Sequence, residues 1–284
     1  MKKRHDLLII LGIYLLAFAV GWLACFRLNG TLMLRLFVFD IAATVVVFAF
    51  SVLLHNSSVY DAYWSLTPMV MAGWLFAAAR AFSGLQLLLL AVFLLWGARL
   101  TLNWVEVFSD FSYEDWRYRK YREETPRLLW PLVNFWGIHM MPTLVVFAGM
   151  LPLFELVRQP LSRTVLPGIL VMCFGVALEL FADREMHAFL AGEQHGAVCE
   201  LGLWHYSRHP NYLGEISFWW GVYLAMLPIA PERWYYGVGC AAVTVLFNVV
   251  SVPLMERRQL VRRPQYQAYR EHTSRLLLRP GKRS

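Results

Sequence analysis

The sequence predicts an all-α, polytopic integral-membrane bundle of about eight spans, and three observations carry that expectation. Of the 284 residues 58% are hydrophobic and only 16% charged, with a mean hydropathy of +0.48. Apolar runs of about 20 residues, the length that crosses a bilayer, recur between short polar stretches. The basic residues, finally, segregate by loop: with the N-terminus in the cytosol, 19 of the 26 fall on that side, as the positive-inside rule requires.

In chain order the expected spans are Leu7–Cys25, Leu32–Leu54, Ala62–Ala81, Leu85–Val105, Leu132–Phe154, Leu166–Phe181, Tyr212–Ile229 and Tyr235–Leu254. The first follows MKKRHD, the charged head of a signal peptide. Trp22 and Leu23 precede Ala24-Cys25, where cleavage wants small residues, so it reads as an uncleaved span. Pro68 and Gly73 interrupt the third, and the fourth encloses Arg99 and Asn103.

The inside loops then hold Lys2, Lys3, Arg4, Arg117, Arg119, Lys120, Arg122, Arg127, Arg184, Arg208 and the basic residues after Met255. Arg27, Arg35, Arg80, Arg158, Arg163 and Arg233 lie opposite. The net charge of +7 is therefore a topology signal, and nucleic acid is excluded as a partner. One membrane domain is expected, with both termini cytosolic. Cys25, Cys173, Cys199 and Cys240 are too scattered for a disulfide framework or zinc site.

Three segments on the cytosolic side, Glu106–Trp130, Ala182–Asn211 and Glu256–Ser284, carry most of the polar chemistry. The run LGLWHYSRHPNYLGE crowds Ser207, Arg208, His209 and Asn211 around Pro210, with Glu215 four residues beyond Asn211 on the same helix face. Pro210 suits a first helical turn, whose free N–H groups favour an anion. Arg208 adds a fork matched to phosphate, so Arg208 and His209 form a candidate phosphate cradle. The alternative is that Ser207 or His209 caps the helix while Arg208 reaches the headgroups. Glu215 lies inside an apolar span, where a carboxylate is costly and usually functional.

Glu179 and Asp183 repeat the four-residue spacing, and so do Arg99 and Asn103. The acids could hold ribose hydroxyls or a carboxamide, or pair with Arg184 and Arg208; Arg99 needs an acid partner at depth. In SYEDWRYRKYREETPR, Arg117 and Tyr118 either clamp and stack on an adenine nucleotide or share in local ion pairs. Asp61 and Tyr63 could polarise a carbonyl oxygen on a lipidic substrate, with a helix-capping role for Asp61 as the alternative. His205 and His209 lack a third ligand, so no metal is expected. The basic, tyrosine-bearing tail reads either as a headgroup-binding segment or as a lid over a phosphate-bearing ligand.

Taken with ELFAD and EDWRY upstream and YxxYxxxTS downstream, the run GLWHYSRHPNYLGEISFWWGVYL resembles the bacterial branch of the steroid 5-alpha-reductase family, from about Asp61 onward. That branch is often described only as a domain of unknown function. The resemblance implies a catalytic bundle of about seven spans, with the first span here as an addition, and NADPH entering from the cytosol. It implies cofactor contacts at Asn211, Glu215, Tyr206, Tyr212, Asp183, Glu179 and Arg99, with Trp96 near the substrate and Asp61 on the substrate side. Glu179 stands where animal members tend to have Asn. The implied reaction is hydride delivery to an enone or similar activated double bond of a steroid-like or other lipidic molecule.

Isoprenylcysteine carboxyl methyltransferases and related phospholipid methyltransferases, which use S-adenosylmethionine, also carry an RHPxYxG element, and they supply the alternative. A non-catalytic membrane lipid-binding partner is the third reading.

Overall fold

The computed structural model of the chain describes residues 2–192 and 196–280. The expected segments Ala182–Asn211 and Glu256–Ser284 therefore include residues, 193–195 and 281–284, that lie outside the described ones.

A lipid-embedded backbone must satisfy its hydrogen bonds within its own segment. Among the described residues all regular structure is accordingly helical. Among the described residues six helical stretches are long and apolar enough to cross a membrane: α1 (Lys2–Phe26), α2 (Leu32–Leu53), α4 (Gly84–Val107), Trp130–Leu156, Arg163–Ala191 and Pro231–Arg262. The chain is an integral-membrane helical protein.

The other two expected spans are α3 (Tyr63–Ala78, 16 residues) and α10 (Pro210–Met226, 17 residues), each rising about 25 Å. The short α5 (Trp116–Glu124) lies between α4 and the stretch Trp130–Leu156. Trp130–Leu156 comprises α6 (Trp130–Leu132), a π-helical segment Val133–Met140 and α7 (Met141–Leu156). Arg163–Ala191 is mostly α8 (Leu166–Ala191), and α9 (Leu203–Tyr206) is a single turn. Pro231–Arg262 contains α11 (Val238–Leu246), a second π segment at Phe247–Ser251 and α12 (Val252–Arg262); α13 (Tyr266–His272) follows.

Three helices outrun their expected spans. Hydropathy marks where a helix is apolar, not where its hydrogen bonding stops. The first begins at Lys2 because its polar turns have partners of their own. Lys2 Nζ lies 3.2 Å from Asp110, Lys3 Nζ donates to Glu106 O, and Asp6 accepts from Phe111 N. The sixth runs on to Ala191 and the last to Arg262.

The chain folds as two compact units. Met1–Phe82 with Phe93–Met150 form the first, and Ser83–Val92 with Leu151–Ser284 the second. In the first unit Ile10, Ile13, Tyr14 and Ala17 of α1 pack with Ala43 and Val47 of α2 and with Val59, Tyr60, Tyr63 and Phe108.

The second unit is organised by α8 and α10, which run antiparallel with their backbones nearly touching. A Cβ on Gly168 would lie 2.2 Å from Ala225 N, one on Gly221 2.5 Å from Met172 N, and one on Gly175 2.6 Å from Gly214 O. In lipid, where burial of apolar surface drives little, such close backbone packing carries helix association.

Candidate functional site

In the second unit the chain approaches α10 through a strained corner. Gly202 has φ +55°, and the Glu185 carboxylate fills the space its Cβ would need, 2.1 Å away. Glu185 accepts from Leu203 N at 2.8 Å, fixing the start of α9, and Trp204 Nε1 donates to Ala182 O at 3.0 Å. Ser207 is then extended and Pro210 opens α10.

The motif grips the C-terminal tail. Arg208 is 8% exposed; its Nε and Nη2 both lie 2.8 Å from Glu256 Oε1, while its Nη1 donates to Arg270 O and Thr273 O. Arg208 N donates to Ser274 O, Ser207 Oγ to Leu276 O, Arg279 N to Tyr206 O and Tyr269 OH to Trp204 O. His209 Nε2 and Arg270 Nε complete the ring around Glu256 at 3.3 and 3.4 Å. Burial holds the His209 imidazole below its usual pKa, against the pull of Glu256.

Arg208 thus braces the tail, with its fork turned to Glu256 and two carbonyls rather than open to a phosphate. The tail lies along residues 204–208, as a folded-back segment would. The His209 ring stacks on Tyr212 (5.4 Å, 5°), and Tyr212 meets Phe247. Tyr206 is exposed.

Glu179 is 1% exposed and Glu215 5%. Both are at the α8–α10 contact: a Cβ on Gly214 would lie 2.4 Å from Glu179 Cγ, and Glu215 is the next residue. Glu215 Oε1 accepts from Trp219 Nε1 at 2.8 Å. Asp183 and Asn211, four residues from each acid on its own helix, are half-buried. Two of the same-face pairs expected from the sequence, Glu179 with Asp183 and Asn211 with Glu215, therefore lie on the two helices that meet here.

Arg99 and Asn103 belong to α4 in the first unit and are half-buried. Arg117 forms a two-pronged contact with Asp115 at 2.8 and 3.1 Å, and its guanidinium lies 5.7 Å from the Tyr118 ring. Tyr118 OH donates to Asp61 at 2.6 Å. Burial, then the charge of Asp115, pushes the Asp61 carboxyl up to about 7.

Tyr63 points elsewhere, into a narrow cleft lined by Asp40, Tyr60, Trp64, Thr67, Pro68, Thr143 and Val146, whose free space is about that of one water molecule. The two catalytic candidates are therefore in different surroundings. Trp96 is fully buried behind that cleft, with ring centroids 6.2 Å from Trp64 and 5.4 Å from Phe93.

Sequence reasoning missed Asp40, Tyr60, His139 and Glu256. Asp40, 3% exposed in α2, announces itself by the rule applied to Glu215, an acid inside an apolar run. His139 lies in a π segment, a helix irregularity frequent at functional sites. Its Nδ1 donates to Asn134 O at 2.9 Å, so Nε2 carries the lone pair; that atom is buried without a hydrogen bond among the described residues.

Residues 47–273 match the family model described as "Protein of unknown function (DUF1295)". The chain belongs to the DUF1295 family. Among curated proteins, this DUF1295 member is similar to the uncharacterized protein C594.04c of Schizosaccharomyces pombe, 24% identical over 271 residues that cover 82% of this chain and 76% of the relative. No solved structure matches the chain.

Proposed function

We propose that this DUF1295 protein is a membrane-embedded, NADPH-dependent reductase of an activated C=C bond in a steroid-like or other lipidic enone. The observation that carries the reading is the Tyr63 cleft. Two phenols, two threonine hydroxyls and a carboxyl meet there inside an apolar, tryptophan-lined core. Hydrogen-bond donors held away from water suit an acceptor oxygen on which charge develops. Methyl transfer from S-adenosylmethionine to a thiolate or carboxylate needs no such donors.

NADPH needs acceptors for its carboxamide and ribose hydroxyls and positive charge for its phosphates. Glu179, Asp183, Asn211 and Glu215 offer acceptors for a carboxamide and ribose hydroxyls. With Arg208 engaged, the exposed Arg257, Arg262, Arg275 and Arg279 supply charge for phosphates, and the exposed Tyr206 a stacking face. NADPH, when bound, would supply the hydride. The Tyr63 hydroxyl orients and polarises the carbonyl oxygen, while Trp64, Pro68 and Val146 exclude water. A bacterial inner membrane with both termini cytosolic gives the site access to the soluble cofactor pool.

The test is to incubate the purified protein in detergent with NADPH deuterated at the transferable position and a panel of apolar cyclic enones. Deuterium at the β carbon of a saturated product is expected. Methylated lipid products from S-adenosylmethionine would replace this reading with the methyltransferase. Ligand binding without turnover of either cofactor would favour the non-catalytic lipid-binding protein.

A further inference from the structure

Asp40 sits mid-helix in LRLFVFDIAATVVV, and among the described residues its carboxyl meets a hydroxyl rather than a cation. Tyr63 OH lies 3.3 Å from Asp40 Oδ1 and 3.2 Å from the Asp40 carbonyl. Thr44 Oγ1 lies 3.3 Å from the Tyr63 oxygen and 3.0 Å from Thr143 Oγ1. Tyr60 OH is 2.8 Å from Thr143 Oγ1, which donates to His139 O at 2.9 Å.

Each of these hydroxyls has one hydrogen. Thr143 gives its hydrogen to His139 O and Tyr60 gives its own to Thr143, which leaves Thr44 one hydrogen for two oxygen neighbours. The chain therefore has two settings. In one, Tyr63 donates to Asp40, Thr44 donates to Tyr63, and the Thr44–Thr143 contact has no hydrogen. In the other, a proton on Asp40 is donated to Tyr63, Tyr63 donates to Thr44, and Thr44 to Thr143, so that each contact between side chains has a hydrogen.

We propose that Asp40 is a positioning residue that holds a proton at rest and acts as the store behind Tyr63, an assignment that, for its catalytic part, rests on the reductase reading. When an acceptor oxygen enters the cleft, the Tyr63 hydrogen turns from Thr44 towards it. As hydride reaches the β carbon, the C=C electron pair moves towards the carbonyl oxygen. Tyr63 gives that oxygen its proton and receives the Asp40 proton in turn. The product enol becomes the saturated ketone, and Asp40, now a carboxylate accepting from Tyr63, is in the first setting until water returns its proton.

Two measurements test this. The infrared difference spectrum of wild type minus Asp40→Asn, taken without cofactor, is expected to contain a protonated carboxyl band that shifts when an alkyl-substituted cyclohexenone binds. Turnover of that enone with NADPH is expected to fall on the order of 10²-fold in Asp40→Asn, the scale of a lost proton donor, with binding changed less than about twofold. The solvent deuterium isotope effect should rise, and Asp40→Glu should recover part of the rate.

Absence of the carboxyl band overturns the inference whatever the activity. So does wild-type turnover in Asp40→Asn, or its failure to fold, since Asn has the shape of a neutral Asp. A band without NADPH oxidation by the wild type would overturn the reductase reading and leave the proton on Asp40 standing.

Discussion

Replacing Gly214 by Ala puts a methyl group where α8 and α10 leave no room. The new Cβ would lie 2.4 Å from Glu179 Cγ, 2.7 Å from Gly175 O and 3.1 Å from Glu179 N, whereas ordinary contact begins at 3.4 Å. The Glu179 side chain can swing aside, but the Gly175 carbonyl belongs to a helix backbone, so the helices must part there by about 0.7 Å, the difference of 3.4 and 2.7 Å. Overpacking of this kind costs about 1–3 kcal/mol, and removing a helical glycine returns about 0.5–1 kcal/mol. The net loss is about 1–2 kcal/mol, or roughly 2–8 °C in the thermal midpoint. Gly12 of α1 is the control, because a Cβ there meets nothing within 4 Å. Gly12→Ala should hold or raise the midpoint. Thermal unfolding in detergent, followed by tryptophan fluorescence, reads both. A Gly214→Ala protein as stable as Gly12→Ala would refute the close-packed interface and the placement of Glu179 and Glu215 that rests on it.

Arg208→Met leaves Glu256 buried with only His209 and Arg270 beside it, and should cost about 3–5 kcal/mol. The double variant with Glu256→Met should cost less than that single change, and equal losses would mean the two do not interact. In the same single variant, tryptic cleavage after Arg275 should become faster. Glu215→Gln keeps an oxygen for Trp219 Nε1, so its midpoint without cofactor should match wild type while NADPH affinity is lost; normal affinity would remove Glu215 from the site. For Asp61, raised to about 7, the folded state holds a proton that the unfolded chain releases from about pH 4 upward. Stability from this group is therefore lost as pH climbs from about 4 to about 7 and is level beyond. The midpoint of wild type minus that of Asp61→Asn should fall across that window, and a flat difference would contradict the buried acid.

Helix positions were legible because run length and apolar content decide them almost alone. The extent of helices was not, since polar turns such as those carrying Lys2 and Lys3, or His187 in α8, continue a helix without any hydropathy signal. Glu215 stood out by its cost in an apolar run and Glu179 by its four-residue spacing from Asp183, and the antiparallel packing of α8 and α10 gives the two acids one interface. Asp40 obeyed the same rule and was passed over, although only the fold could add that Tyr63, Thr44, Tyr60 and Thr143 form its chain of hydroxyls. The brace between Arg208 and Glu256 joins residues 48 positions apart. No local pattern encodes such a pairing, so an arginine suited to phosphate and one suited to a buried carboxylate look alike in sequence.

If the protein binds NADPH as proposed, its thermal midpoint shifts when that cofactor is added. Ligand at a hundredfold excess over its dissociation constant stabilises a folded protein by about 2.7 kcal/mol. A rise with NADPH, absent in Glu215→Gln and not reproduced by S-adenosylmethionine, is the expected result. A rise with S-adenosylmethionine and none with NADPH would contradict the account.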